Sequence, residues 1–175
     1  GYAGVDDFIA DLEAIDASLA HNRGDHAGRF ALQRVLRRAR GFGFHLAALD
    51  LRQDSAVHEE ALAALLDDAD WASRPAEVQV ERLHGVLDGS APAAADGGDA
   101  AASTLGVFRE ARELRGTHGA GAIGLYIISM ARTAADALAV LALARIAGCV
   151  EGDAVPLDVA SLFETVADLE AAPAV

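Results

Sequence analysis

The 175-residue sequence contains no lysine, and all fourteen of its basic residues are arginine. A lysine Schiff base is therefore impossible within this segment, which excludes lysine-anchored pyridoxal phosphate chemistry there. A phosphate-binding P-loop is excluded for the same reason, because it requires a Gly-Lys-Ser/Thr sequence.

Cysteine and aromatic residues are also scarce. Cys149 is the single cysteine, so an intrachain disulfide and a cysteine-ligated zinc cluster are excluded, which is typical of the reducing cytoplasm. Aromatic residues make up 5% of the chain, whereas hydrophobic residues as a whole make up 53%. Most of the hydrophobic residues are alanine and leucine, which favour helices because they lose little side-chain freedom there.

The excess of negative charge and the shortness of the apolar runs argue against nucleic acid as a partner and against a membrane-spanning helix. The formal net charge of −13 opposes binding to nucleic acid. No apolar run is long enough to span a membrane, since the run at 137–150 is interrupted by Arg145 and Gly148 and predicts a buried helix. Residues 1–7 are acidic and unlike a signal peptide. Because a helical pattern follows almost at once, we expect an internal segment of a longer protein.

Apolar residues at helical spacing predict a helix-rich chain. The stretch 89–102 is rich in Gly, Ala, Pro and Asp, and predicts a flexible loop. Helix starts are expected at capping residues, including Ser55, Thr133 and Thr165. The predicted helices cover 5–19, 27–40, 55–66, 75–87, 103–115, 134–147 and the residues after Thr165.

Three dense apolar runs predict buried strands at about 46–52, 123–129 and 157–163. Each run ends in polar residues and is followed by a helix, which is typical of parallel βα units. The sequence thus predicts a helix-rich α/β fold with about three parallel strands and flanking helices. Because the carboxyl ends of such strands face the ligand, Arg52, Ser129 and Glu164 are expected to line one mouth.

Two of these side chains are candidates for a binding site. The Arg52 guanidinium could bind a phosphate or carboxylate with two hydrogen bonds; alternatively, it pairs with Asp50 or Asp54 at the end of the strand. The Glu164 carboxylate could bind Mg²⁺ or Mn²⁺, which prefer hard oxygen ligands. The alternative is a carboxylate stabilised by the N-terminus of the next helix. The residues alone leave both pairs of alternatives open.

Other candidate groups favour structural interpretations. None of the six histidines has a partner at the i, i+4 spacing of a helical zinc motif. Ser129 lacks the Gly-x-Ser-x-Gly setting of a nucleophile elbow and is interpreted as a packing or capping residue. Residues 119–124 fit G-x-G-x-x-G loosely, but they lead into a strand, which excludes a dinucleotide-binding turn.

Three ordered blocks resemble phosphoenolpyruvate carboxylases. Residues 42–55 read FGFHLAALDLRQDS and are followed by His58, which is similar to the family block FGFHL-x-x-LDIRQ-x-S-x-x-H. Residues 126–131 read YIISMA and 162–169 read LFETVADL, similar to the family blocks YxISMA and PLFETL-x-DL. The order and approximate spacing also match, and the resemblance covers most of the chain outside 67–102.

This resemblance implies that residues 1–175 are a single segment of the family's barrel domain, a partial (β/α) barrel. It implies a cytoplasmic, homotetrameric lyase that fixes carbon dioxide by converting phosphoenolpyruvate and bicarbonate to oxaloacetate and phosphate, with Mg²⁺ or Mn²⁺. By position, Arg52 falls on the arginine that contacts the phosphate region of the substrate. Glu164 falls on a carboxylate ligand of the metal.

The resemblance also implies what the segment lacks. The family's catalytic histidine lies upstream, and its second metal-binding acid, catalytic lysine and phosphate loop lie downstream. We therefore expect no catalytic residue within this segment, no activity from it alone, and the remainder of the parent chain as its partner. Departures from the family pattern at Ala134 and 157–161 leave open a non-catalytic scaffold or binding module. Another barrel enzyme acting on phosphoenolpyruvate or pyruvate is a third possibility.

Overall fold

The computed structural model describes residues 1–91 and 97–174, apart from the side chains of residues 171 and 174. The chain is helix-rich, with a three-stranded parallel sheet and flanking helices, as the sequence predicts. Its contacts divide it into two compact units. Unit 1 comprises Gly1–Leu49 and Leu114–Ile123, and unit 2 comprises Asp50–Glu113 and Gly124–Val175.

Unit 1 is built mainly from two helices, α1 (Val5–His21) and α2 (Phe30–Phe42). They pack through a small apolar seam that buries Leu12, Leu36 and Ala39. Two ion pairs flank this seam, one between Arg29 and Asp16 and one between Arg40 and Glu13. The α2 helix begins three residues later than the predicted position 27, since Gly28 takes a φ of +91° within the π-helical turn Asp25–Arg29.

Unit 2 holds most of the buried side chains of the described residues. Its helices are α3 (Ser55–Leu65), α4 (Ala76–Asp88), the larger part of α5 (Gly98–His118), α6 (Ala134–Ile146) and α7 (Val166–Ala171). The α4 and α6 helices pack together, and α3 also packs on α6. The most deeply buried large side chains of this core are Leu62, Leu65, Trp71, Leu83, Phe108, Tyr126, Ile128 and Leu143.

The sheet has the order β1 (Leu49–Asp54), β2 (Ile123–Ser129), β3 (Asp158–Ser161). The β2 and β3 strands are parallel, with Leu125 opposite Asp158 and Ile128 opposite Ser161. The bounds of β2 are those predicted from the sequence, whereas β3 is shorter than the predicted 157–163. Parallel pairing brings the carboxyl ends of the strands to one edge of the sheet, which is where the polar residues lie.

The first strand differs from its prediction. It begins at Leu49 rather than near position 46, and Arg52 lies within it rather than after it. It is not buried, because Leu49 is 59% exposed and every other residue of the strand is exposed or half-buried. Leu46, which precedes the strand, is 73% exposed. The β1 strand also lies at the edge of the sheet, so no strand of the described residues pairs with its outer side. A dense apolar run indicates a surface that is to be buried, but it does not show which residues bury it.

The predicted loop at 89–102 needs a second correction. Helix α5 begins at Gly98 rather than at Ser103, and Ala101 is fully buried within it. The alanine-rich stretch after Gly98 therefore extends the helix, as its intrinsic propensity favours. Gly89 ends α4 in the left-handed conformation, and residues 92–96 lie outside the described residues. Flexibility of this stretch stays a prediction.

The helix caps largely follow the sequence. Thr165 caps α7 as predicted, since its hydroxyl accepts a hydrogen bond from the Asp168 N–H. Thr133 is the N-cap of α6 as predicted. The cap of α3 is Asp54 rather than Ser55, because the Asp54 carboxylate accepts from the Ala56 N–H. No helix among the described residues is long and apolar enough to cross a membrane.

Candidate functional site

Three polar side chains converge at the carboxyl edge of the sheet. Arg52 lies in the second half of β1, Ser129 is the last residue of β2, and Glu164 follows the end of β3. Arg52 Nε donates to Ser129 Oγ at 2.6 Å, and Arg52 Nη2 donates to Glu164 Oε1 at 2.8 Å. The structure therefore brings together the residues expected to share one mouth. We call this set the strand-end cluster.

The cluster leaves part of the Arg52 guanidinium available. Nε and Nη2 are engaged by Ser129 and Glu164, whereas Nη1 has no hydrogen-bond partner among the described residues. The Arg52 side chain is 58% exposed and that of Glu164 is 35% exposed. A guanidinium has five N–H donors in a fixed plane, so its outer edge remains free to bind an anion.

The alternative partners considered for Arg52 are engaged elsewhere. The Asp50 carboxylate accepts from the Leu125 N–H of β2, and the Asp54 carboxylate caps α3. The hydrogen-bond partners of Arg52 among the described residues are Ser129 and Glu164 and neither aspartate. Each carboxylate instead stabilises the backbone next to Arg52, which helps to fix the position of β1 beside β2.

The backbone that carries Glu164 is fixed by the start of α7. The Asp168 carboxylate accepts from the N–H groups of both Glu164 and Thr165. Hydrogen bonds from Thr165 hold the pKa of Asp168 below its ordinary value. Glu164 itself does not cap the helix, because its carboxylate is turned to Arg52. Its side chain is thus presented at the end of the strand rather than used for the helix.

A buried aromatic cluster lies in the same unit. His58 of α3 and Tyr126 of β2 share a hydrogen bond of 2.8 Å between Nε2 and the hydroxyl. The Tyr126 ring stacks on Phe108 with a centroid distance of 5.2 Å. Burial lowers the pKa of His58 to about 4 and raises the pKa of Tyr126 to about 12. Both side chains are therefore neutral near pH 7 and fasten α3 to β2.

The donor set offers an incomplete fit to a divalent cation. The Glu164 carboxylate supplies a hard oxygen of the type that Mg²⁺ and Mn²⁺ prefer. Within the described ranges, however, no group of three or more His, Cys, Asp or Glu side chains is arranged to hold a metal ion. Glu164 can therefore be one ligand of such a site, with the remaining ligands coming from water, from substrate or from residues outside this segment.

A cavity in unit 1 lies among charged side chains and does not coincide with the strand-end cluster. It has a volume of about 390 Å³, and its lining includes Glu13, Asp16, Arg29 and Arg40. These four residues form ion pairs with one another. None of the residues lining this cavity belongs to the three sequence blocks that resemble the family, whereas the strand-end cluster takes one residue from each block.

Sequence reasoning did not find the contact between Ser129 and Arg52, or the pair formed by His58 and Tyr126. The sequence predicts a packing or capping role for Ser129 and a structural or solvated role for His58. The position of Ser129 at the end of β2, beside the strand that holds Arg52, was the available signal for the first contact. For the second, no local pattern indicates that the two rings face each other.

The fold and the strand-end cluster define a segment of a parallel α/β protein with an arginine, a serine and a glutamate in contact at one edge of its sheet. The family described as phosphoenolpyruvate carboxylase matches residues 1–175 of the sequence. The chain belongs to the phosphoenolpyruvate carboxylase family.

Individual relatives agree with this family. The chain is 48% identical over 171 residues to the phosphoenolpyruvate carboxylase of Xanthomonas campestris pv. campestris strain 8004, covering 96% of the chain and 19% of that protein. It is 39% identical over 183 residues to the enzyme of Rhodopseudomonas palustris strain HaA2, covering 99% of the chain and 20% of that protein. The chain thus spans about a fifth of the length of these curated relatives.

Proposed function

We propose that this chain is part of a phosphoenolpyruvate carboxylase that converts phosphoenolpyruvate and bicarbonate to oxaloacetate and phosphate. Membership of the family and identity to proteins of that name support the reaction. The observation that carries the residue roles is the 2.8 Å contact between Arg52 and Glu164, which are 112 positions apart in the sequence. The two residues to which the family resemblance assigns substrate and metal contacts are thus in direct contact, which supports the proposal.

In this proposal, Arg52 binds the phosphate region of phosphoenolpyruvate. Its free Nη1 and the outer edge of Nη2 point away from Ser129 and Glu164, so they can donate to two phosphate oxygens. The Arg52 guanidinium is always protonated, so it attracts the negatively charged phosphoryl group whatever the protonation state of the other groups in the site. Preorganised donors of this kind stabilise charge that develops during group transfer.

Glu164 is proposed as a ligand of Mg²⁺ or Mn²⁺. A divalent cation there would supply electrostatic stabilisation for an enolate oxygen of the substrate. Glu164 would contribute one negatively charged oxygen ligand, and the backbone bonds from Asp168 would keep the carboxylate at the strand end. The contact with Arg52 holds this carboxylate in place when no cation is bound.

The segment alone is proposed to be inactive. It contains no lysine and spans about a fifth of the relatives' length, so the remaining catalytic groups must come from the rest of the parent chain. We propose that residues 1–175 form one segment of the parent's barrel domain, and that the parent is a cytoplasmic homo-oligomer. The exposed apolar residues of β1 and its approach, Leu46 and Leu49 among them, are consistent with burial by parent residues.

Steady-state kinetics on the parent enzyme test these roles. Arg52→Lys keeps the charge but loses the planar fork, so we expect kcat/KM for phosphoenolpyruvate to fall roughly a hundredfold. Glu164→Gln removes a charged ligand but keeps the shape, so we expect a higher metal requirement, partly restored by added Mg²⁺ or Mn²⁺. Formation of oxaloacetate that depends on bicarbonate is the readout.

The chain provides a matched control in unit 1. Arg40 and Glu13 form an exposed ion pair of the same kind as Arg52 and Glu164. Arg40→Lys and Glu13→Gln should change kcat/KM by less than about twofold, because exposed ion pairs contribute little. If Arg52→Lys and Glu164→Gln also keep near-parental turnover at limiting metal, the proposed roles are wrong. If the unmodified parent forms no oxaloacetate, the alternative of a non-catalytic scaffold is favoured.

A further inference from the structure

Ser129 is the neutral side chain that contacts Arg52. Its Oγ accepts the Nε hydrogen of Arg52 at 2.6 Å, and Ser129 itself is only 9% exposed. We propose that Ser129 is a positioning residue that sets the orientation of the Arg52 guanidinium for phosphate binding. This inference rests on the proposed substrate-binding role of Arg52 and extends it to a residue that the sequence analysis assigned to packing.

The geometry of arginine explains why a contact at Nε has this effect. The guanidinium is planar, and Nε is the nitrogen nearest the flexible stem. Once Nε is held by Ser129 and Nη2 by Glu164, the plane and the rotation of the group within that plane are both determined. The Nη1 nitrogen must then face away from both partners, which is the orientation that an anion needs.

Ser129 and Glu164 do not contribute equally to this orientation. Under the proposed function, Glu164 also serves a divalent cation, and a carboxylate bound to a cation is a weaker partner for a guanidinium. The Ser129 hydroxyl is neutral and does not compete with the phosphate for the charge of Arg52. Ser129 is therefore the contact that keeps Arg52 oriented while cation and substrate are bound.

The backbone around Ser129 is itself well fixed. The carbonyl of Ile128 accepts from the Leu162 N–H at 2.9 Å, and the carbonyl of Met130 accepts from Ser55 Oγ at 3.1 Å. Met130 has a φ of +59°, a conformation that non-glycine residues keep only when their surroundings enforce it. Both neighbours of Ser129 are thus tied to other elements of unit 2, so its hydroxyl has a defined position from which to hold Arg52.

A double-mutant cycle in the parent enzyme separates positioning from simple structural support. The readout is the dissociation constant of phosphoenolpyruvate, measured by calorimetry with Mg²⁺ and without bicarbonate, so that no turnover occurs. Ser129→Ala should weaken binding about tenfold, the usual effect of losing a hydrogen bond to a charged group. In an Arg52→Ala background, the same Ser129→Ala change should have no further effect, since there is no guanidinium left to orient.

Two further variants distinguish loss of the hydrogen bond to Arg52 from misfolding of the protein. Ser129→Cys is nearly isosteric but a poor acceptor and should reproduce the loss, whereas Ser129→Thr keeps the hydroxyl and should retain most of the affinity. Ser161→Ala is the matched control, because Ser161 ends β3 as Ser129 ends β2 but makes no hydrogen bond to Arg52. It should leave the dissociation constant unchanged.

The outcomes distinguish this inference from the proposed function. If Arg52→Ala itself leaves phosphoenolpyruvate binding unchanged, the proposed role of Arg52 fails. If Arg52→Ala weakens binding but Ser129→Ala and Ser129→Cys do not, Ser129 has no positioning role. Full additivity of Ser129→Ala and Arg52→Ala would also overturn the inference, because a side chain that acts through Arg52 cannot have an effect without it.

Discussion

In unit 1, helices α1 and α2 enclose Leu12 and Leu36 but leave Phe30 and Phe42 largely exposed. Unit 2 also exposes apolar residues, Val166 and Leu169 of α7 among them, but it fully encloses large side chains such as Trp71 within its own helices and strands. The residues of the strand-end cluster that are proposed to act on substrate all belong to unit 2. A packed core and a defined polar site therefore occur in the same unit.

This difference shows what each unit needs from the parent protein. Unit 2 supplies its own support for Arg52, Ser129 and Glu164 through hydrogen bonds among its strands and helices. Unit 1 instead exposes large apolar side chains such as Phe44 and Leu46. Exposed apolar patches commonly mark a surface that another part of a protein covers. We infer that unit 1 depends more strongly on parent residues for its stability than unit 2 does.

Truncation of one leucine in each core is expected to give the largest effect. Leu143→Ala in unit 2 should cost about 4 kcal/mol, because this side chain is fully enclosed and leaves a cavity. Leu12→Ala in unit 1 should cost about 2 kcal/mol, since its surroundings are open and can relax. Urea unfolding of the chain checks this, with Trp71 fluorescence as the probe of unit 2 and far-UV circular dichroism as the probe of all helices. Equal losses would remove the distinction between the units.

Acidification should weaken unit 2 through His58. Its pKa is about 4 in the folded chain, below the ordinary value of 6.5, so the unfolded chain binds more protons between these values. The stabilisation is fully present above pH 6.5 and declines as the pH falls towards 4, by about 3 kcal/mol in total. Urea titrations of Trp71 fluorescence across this range measure the decline.

His58→Gln keeps a polar group near Tyr126 but does not titrate, so the pH dependence between 4 and 6.5 should become shallower. The control is His21→Gln, which removes an exposed histidine from the last turn of α1 without touching the core of unit 2. An unchanged slope in His58→Gln would show that other groups cause the acid sensitivity.

The smallest expected effect on stability concerns the exposed apolar side chains of unit 1. Leu46→Ser should change the free energy of unfolding of the chain by less than about 0.5 kcal/mol, because the side chain is mostly solvated already. It should nevertheless reduce binding of the dye ANS and self-association, measured by fluorescence and light scattering. The matched change Leu62→Ser, at a buried position of α3, should destabilise the chain strongly. A large loss of stability from Leu46→Ser would mean that this chain buries Leu46 in solution.

Much of the site could be predicted because strand ends are defined by local patterns. The run at 123–129 is dense in apolar residues and bounded by glycine and polar residues, so both ends of β2 were found. Thr165 is a recognisable capping residue, which predicts that Glu164 lies just before a helix. With parallel strands, these positions were sufficient to bring Arg52, Ser129 and Glu164 to one edge.

The remaining features depend on tertiary contacts that no local pattern contains. The exposure of β1 depends on which elements cover the faces of the sheet, and the apolar run at 42–51 has the same composition whether or not this chain covers it. The hydrogen bond from Arg52 to Ser129 depends on one arginine rotamer among many. The start of α5 at Gly98 shows that alanine-rich sequence is compatible with both a loop and a helix until packing decides.

The most direct test of the central claim is a structure of the parent enzyme with Mn²⁺ and an unreactive analogue of phosphoenolpyruvate. The account predicts that the Glu164 carboxylate binds the metal at about 2.1 to 2.2 Å. It also predicts that Arg52 Nη1 and Nη2 donate to phosphate oxygens of the analogue while Nε stays on Ser129 Oγ. An analogue and metal bound elsewhere, with Arg52 and Glu164 still paired only with each other, would contradict it.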